Sequence, residues 1–105
     1  MVARVWSAQT TPGQSPAYVG HLRTQVLPAL RKISGYVGSR LLERTASGKV
    51  EIIVITFWQS IDSIRAFAGD DVEMAVVAHE AAAVLTRFDR RVRHYEVVLA
   101  DEVQA

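Results

Sequence analysis

The chain contains no cysteine, which excludes disulfides, thiol nucleophiles and thiolate metal ligands and fits a reducing compartment. Charge of one sign is never concentrated. Lys, Arg, Asp and Glu are interspersed to a formal net charge of +1, which leaves no electrostatic footprint for nucleic acid or an anionic membrane. Long apolar runs are also missing: Arg4 breaks the N-terminal stretch, and the run from Ala75 to Leu85 contains His79 and Glu80. Neither an export signal nor a membrane span is therefore expected, and the reading is a cytoplasmic protein. The three histidines, His21, His79 and His94, fall on separate predicted elements without His-x-x-x-His spacing, so no metal site is predicted. No Gly-x-Ser-x-Gly elbow is present either, which removes the best-marked nucleophile motif.

What is present is enough for one core. Half of the 105 residues are hydrophobic and 22% are charged, the balance of a folded chain with room for a single domain over residues 1–105. Val2 to Ala8 is short, β-branched and aromatic, and ends at Thr-Thr-Pro-Gly, so it reads as a first strand. Ser15 is the predicted N-cap of a helix with Pro16 at its first position. Val19, Leu22, Val26, Leu30 and Ile33 make that helix's apolar stripe, and Pro28 is expected to bend it because it cannot donate to the Thr24 carbonyl.

Gly35 ends the helix. Tyr36 to Arg44 and Val50 to Trp58 form a predicted antiparallel hairpin around Ala46-Ser47-Gly48-Lys49. The run Ile52-Ile53-Val54-Ile55 lacks polar alternation, so both faces of its sheet need cover. Ser60 is read as the cap of a short helix reaching Phe67, followed by a longer helix from about Val72 to Phe88. Glu73, Glu80 and Arg87 mark that helix's solvent side, Ala75, Ala78, Ala82 and Leu85 its buried side, and His79 its flank. Arg91 to Leu99 is the predicted fourth strand, and residues 101–105 a frayed tail. The order β-α-β-β-α-β predicts an α+β, ferredoxin-like domain with a four-stranded antiparallel sheet and helices on one face. The other face is left open, so a second copy is expected to cover it. RNA-recognition domains share the order, but Val50 to Phe57 lacks their basic and aromatic signature.

Gly35-Tyr36-Val37-Gly38-Ser39-Arg40-Leu41, Thr56-Phe57-Trp58-Gln59-Ser60-Ile61-Asp62-Ser63-Ile64-Arg65-Ala66-Phe67 and His94-Tyr95-Glu96-Val97 resemble the antibiotic biosynthesis monooxygenase family. The resemblance covers nearly the whole chain. It implies a dimeric α+β barrel and small enzymes that oxygenate aromatic polyketides without metal or flavin, together with haem-degrading relatives. The haem-degrading pattern implies an Asn in the first strand, a Trp in the short helix and a His in the long one. Here the first strand offers Trp6 and Ser7, Phe67 stands at the Trp position, and His79 lies about two residues from the expected place.

Oxygenation without a cofactor needs an electron-rich phenol or enol, a dry pocket, a base for the ionising oxygen and donors for the developing anion. His79 is the candidate base, the alternative being one structural hydrogen bond at the surface. Trp58 is a candidate catalytic donor, and Phe57 a wall of an aromatic pocket, although such residues are more often core. Phe67, Tyr36, Arg40 and Tyr95 are the other candidate substrate-binding residues. Alternation places His94 and Tyr95 on opposite faces, so only one of them lines a given pocket. His21 is expected in solvent. Two functions follow: a cofactor-independent monooxygenase acting on a small aromatic, or a non-catalytic dimeric module that holds a hydrophobic ligand or serves in stress.

Overall fold

The computed structural model describes residues 1–103, so the last two residues of the expected tail lie outside the described residues. Strands β1 (Val2–Thr10), β2 (Tyr36–Ala46) and β3 (Lys49–Trp58) carry the sheet, with two short strands, β4 (Arg87–Phe88) and β5 (Arg93–Glu96), end to end along the far edge. The lateral order is β2-β3-β1-β4, with β5 also on β1 and every pairing antiparallel. This is the predicted ferredoxin-like α+β sheet, its fourth position split in two. The split follows from the chain between the pieces: the Asp89 amide still reaches Ser7 of β1, but the Val92 amide turns away to the Glu73 carbonyl, and the register has moved by two residues where pairing resumes at Val5 opposite Arg93.

The hairpin forms where expected, with Ala46 opposite Lys49 and the two turn residues Ser47 and Gly48 both at positive φ, 53° and 74°. That pair of left-handed residues matches the right-handed twist of the strands. Along β1 the even positions from Val2 to Thr10 point to the helices, and along β3 those from Val50 to Trp58 do the same. Two apolar clusters result. One gathers Ala8, Tyr18, Val50, Ile52, Val54 and Ala81, and the other Val2, Leu30, Trp58 and Ile64.

The first helical arm differs from the expectation in two details. Its N-cap is Gln14, and the Ser15 hydroxyl instead donates to Glu43 Oε1 at 2.6 Å, tying the helix start to β2. Helix α1 (Ser15–His21) then widens into a π-turn over Leu22–Val26 before α2 (Leu27–Leu30). The Leu27 amide reaches back five residues to the Leu22 carbonyl. Pro28 opens the next helical piece, where a missing N–H costs nothing, so the break in the ladder falls where Pro28 would otherwise force one.

Helix α3 (Ile61–Ala68) is capped as predicted: Ser60 Oγ accepts from the Ser63 amide at 3.2 Å, and Ser63 Oγ accepts from the Ser60 amide. Gly35, at φ 93°, passes so close that a Cβ there would lie 2.4 Å from Ser63 Cβ, so only glycine fits. The long helix from Val72 is not formed. Only α4 (His79–Val84) is helical, because the Val72 and Met74 carbonyls that would accept along a helix are taken by the Arg4 guanidinium, and Ala75 pairs with the Arg90 carbonyl. The last strand is likewise shorter than predicted: its pairing with β1 ends where the Val97 amide donates to the Met1 carbonyl at 2.9 Å, and Val98 and Leu99 stand in solvent.

Candidate functional site

Between the sheet and the helical layer lies a chamber of about 70 Å³, lined by Arg4, Trp6, Tyr18, His21, Thr56 and Phe67 among apolar side chains that include Val54, Val76, Val77 and Val92. His21, Val26, Phe67, Val76 and Ala78 also line an outer groove of about 560 Å³, so chamber and groove form one path to solvent. The first helical arm lines one bank of the groove through His21, Gln25, Val26 and Ala29, and Phe67 of α3 with Val76, Ala78 and Glu80 lines the rest. Glu80 stands at the groove and not in the chamber.

Arg4 sits at an inward position of β1, in phase with Val2, Trp6 and Ala8, and is only 4% exposed. Its Nη1 donates to the Val72 carbonyl and to His94 Nε2 at 3.0 Å, its Nη2 donates to the Met74 carbonyl at 2.6 Å, and its guanidinium lies 5.7 Å from the Phe67 ring centre. Among the described residues no carboxylate pairs with it. Burial pushes its pKa down to about 10, which leaves it cationic at neutral pH. The Tyr18 phenol, 4% exposed, has no hydrogen-bond partner among the described residues, and burial raises its pKa, so it remains a protonated donor. Thr56 Oγ1 accepts from Trp58 Nε1 at 2.8 Å, which leaves its own hydroxyl proton to donate. Trp6 is spent differently: its indole N–H donates to the Asp89 carbonyl at 2.8 Å, and its ring packs 6.0 Å from Tyr18.

Burial, and then the charge of Arg4, lower the pKa of His94, with Glu73 opposing weakly. The neutral imidazole accepting at Nε2 is thereby favoured, with its proton on Nδ1. A depressed histidine pKa contributes stability that is complete above the unfolded value, about 6.5, and that is lost as pH falls towards the folded pKa. We expect the melting temperature to drop between pH 7.5 and pH 5, and His94→Gln, which keeps an acceptor without a titrating ring, to reduce that drop. Thermal melts of both proteins across the range check this.

The candidates named from the sequence divide. Phe67 lines both chamber and groove. Trp58 is fully buried behind it, stacked at 6.0 Å on Phe67 and edge-on at 5.4 Å to Tyr36, so these two are core neighbours of the site and not its walls. Tyr36 Oη is bound to Ser39. Phe57, Arg40 and Tyr95 belong to the opposite, open face of the sheet, Arg40 opposite Ile55 and Tyr95 opposite Ala3, and so none of them reaches the chamber. His79 is exposed at the first turn of α4 and lines neither space, because the helix that was to carry it past the cavity begins with it. His21, expected in solvent, is instead half-buried and lines both. Sequence reasoning missed Arg4, Tyr18 and Thr56. The available signal was a cation in phase with the buried residues of a strand.

No three His, Asp or Glu side chains converge among the described residues. Among the described residues, no helix is long and apolar enough to cross a membrane.

No family model matches the chain. An uncharacterised Mycobacterium tuberculosis protein, present in two strains, is 29% identical over 97 residues, which cover 92% of this chain and 39% of the relative. The chain thus spans well under half the length of the curated relatives it matches. Among solved structures, the haem-degrader MhuD of Mycobacterium tuberculosis superposes with a TM-score of 0.66 at 24% identity, over 97% of this chain and 100% of that one. A Bacillus cereus protein provisionally named an antibiotic biosynthesis monooxygenase superposes with a TM-score of 0.70 at 14% identity, over 100% and 98%. With the sheet order, the helical layer and the cavity between them, these likenesses give the chain the antibiotic biosynthesis monooxygenase fold.

Proposed function

We propose that the protein is a cofactor-independent oxygenase that converts a small electron-rich phenol to its quinone with O2 and that works as a homodimer. The observation that supports this most directly is the donor-lined chamber holding an uncompensated, 4% exposed Arg4. In the overall step one oxygen atom enters the ring carbon as the new carbonyl and the other leaves as water, and the substrate supplies all four electrons. Such a substrate reacts once ionised, and a buried guanidinium with two hydroxyl donors favours the ionised form. His21, at the junction of chamber and groove, is the group placed to take the phenolic proton.

Haem degradation is not proposed. Ser7 faces the open side of the sheet opposite Ile53, Phe67 offers no indole donor, His79 stands outside the cavity, and His94 Nε2 is engaged by Arg4. Dimerisation is supported by the open sheet face, where Ala3, Val5, Leu42, Ile53, Ile55 and Phe57 have no cover from the chain's own helices.

An oxygen electrode with 1-naphthol and related monophenols tests the reading. Uptake matched one to one by quinone absorbance is expected, falling about 100-fold in His21→Ala. Binding without uptake from any such phenol would replace the oxygenase with a module that only holds its ligand.

A further inference from the structure

The inner chamber is built for negative charge. Its polar lining consists of the Arg4 guanidinium, the Tyr18 and Thr56 hydroxyls and the His21 imidazole, with no Asp or Glu among them. Arg4 uses only part of its donor set on Val72, Met74 and His94, and among the described residues its Nε–H has no partner. No side-chain nitrogen or oxygen in the described residues is both sealed from solvent and unpartnered, so Arg4 Nε and the Tyr18 hydroxyl keep some open space beside them, and both residues line the chamber. A guanidinium this deeply buried without a carboxylate leaves its charge uncompensated until an anion arrives.

Size completes the argument. The chamber of about 70 Å³ is small beside the groove of about 560 Å³, and small beside the roughly 150 Å³ of a cavity that takes a benzene ring. That suits a carboxylate or a phenolate oxygen. The ring then belongs in the outer groove, against Phe67, Val26, Val76 and Ala78.

We propose that the ligand is an aromatic monoanion, its charged oxygen seated on Arg4, Tyr18 and Thr56 in the chamber and its ring lying in the groove. This rests on the pocket assigned above but not on oxygen chemistry, since an anion that binds without reacting satisfies it. Aryl carboxylates and phenolates share the required head, and the test separates them.

The first probe is 4-nitrophenol, whose visible absorbance reports its own ionisation. Bound to the protein, it is expected to ionise with a constant raised at least tenfold, because the site holds the phenolate more tightly than the phenol. The second is 2-naphthoate, followed by tryptophan fluorescence, which is expected to bind at least tenfold more tightly than naphthalene or the ring-less anion hexanoate. Selective binding of 2-naphthoate with no effect on 4-nitrophenol ionisation would assign the site to carboxylates, and the reverse to phenolates. Tyr18→Phe, which removes a hydroxyl with no partner among the described residues, is expected to cut the anion preference several-fold while the fold survives. Arg4→Met is expected to abolish it. Should that variant fail to fold, Tyr18→Phe and the ionisation of 4-nitrophenol in the unaltered protein decide. Equal affinity for ionised and neutral probes, no binding of either anion, or an anion preference indifferent to Tyr18→Phe would each overturn the proposal. Oxygen uptake is scored separately, so a bound anion without uptake sinks the oxygenase and leaves the anion site standing.

Discussion

Ile55→Asp is expected to yield a folded monomer, seen as one-chain mass by light scattering behind a sizing column, where the unaltered protein is expected to run as a dimer. Ile55 lies at the middle of β3, between Arg40 of β2 and Val5 of β1, on the side away from the helices. Its neighbours Ile53 and Leu42 are 37% and 47% exposed in the single chain, and an apolar sheet face of this extent marks an association surface. In a two-fold dimer one substitution enters the interface twice, and each buried unpaired carboxylate costs several kcal/mol. Because Ile55 belongs to neither core cluster, circular dichroism should be unchanged. A dimer that persists in Ile55→Asp and in Ile53→Asp would show that this face is not the interface.

Trp58→Ala is expected to be the most destabilising single change, by about 3–5 kcal/mol. At about 4–8 °C per kcal/mol for a chain of this size, the melting temperature falls by at least about 12 °C, which differential scanning calorimetry will measure. The indole is fully buried between Tyr36 and Phe67 and hydrogen-bonded to Thr56. Its removal leaves a cavity and frees both Phe67 and the Thr56 hydroxyl. Any loss of ligand binding in this variant therefore comes from collapse of the wall behind the site. Trp58→Phe keeps most of the volume and is expected to cost much less. A Trp58→Ala protein that melts within a few degrees of the unaltered one would contradict the packing.

The strands were legible from the sequence because period-two alternation and the Ser47-Gly48 turn are local signals. The failure in the second half has an equally physical cause. Ala75 to Leu85 carries a helical pattern, but whether it folds so depends on Arg4, some 70 residues earlier, taking the Val72 and Met74 carbonyls. No window along the chain contains that contact. The misplacement of His79 follows from it directly, since its assigned flank belonged to a helix that the arginine prevents. The Phe57, Arg40 and Tyr95 assignments failed for a different reason: alternation gives which residues share a face, and the coverage of that face by helices fixes which one holds the cavity. Phe67 was singled out because the resemblance aligned the segment around it, and Arg4 was overlooked because it read as an interruption of an apolar run.

The π-turn has a geometric effect on the pocket. On a regular helix, residues five apart point about 140° away from each other, so His21 and Val26 would face different surroundings. In a turn closed from Leu27 back to Leu22, positions five apart come nearly one above the other, and both side chains look into the same groove. One wall of the pocket is thus the product of a single supernumerary residue. Excising one residue between Leu22 and Val26 would heal the helix and dismantle the wall in one stroke, whereas altering any one side chain there would leave the curvature intact. The shape of the groove at this point is written in the chain's count of residues rather than in their identities.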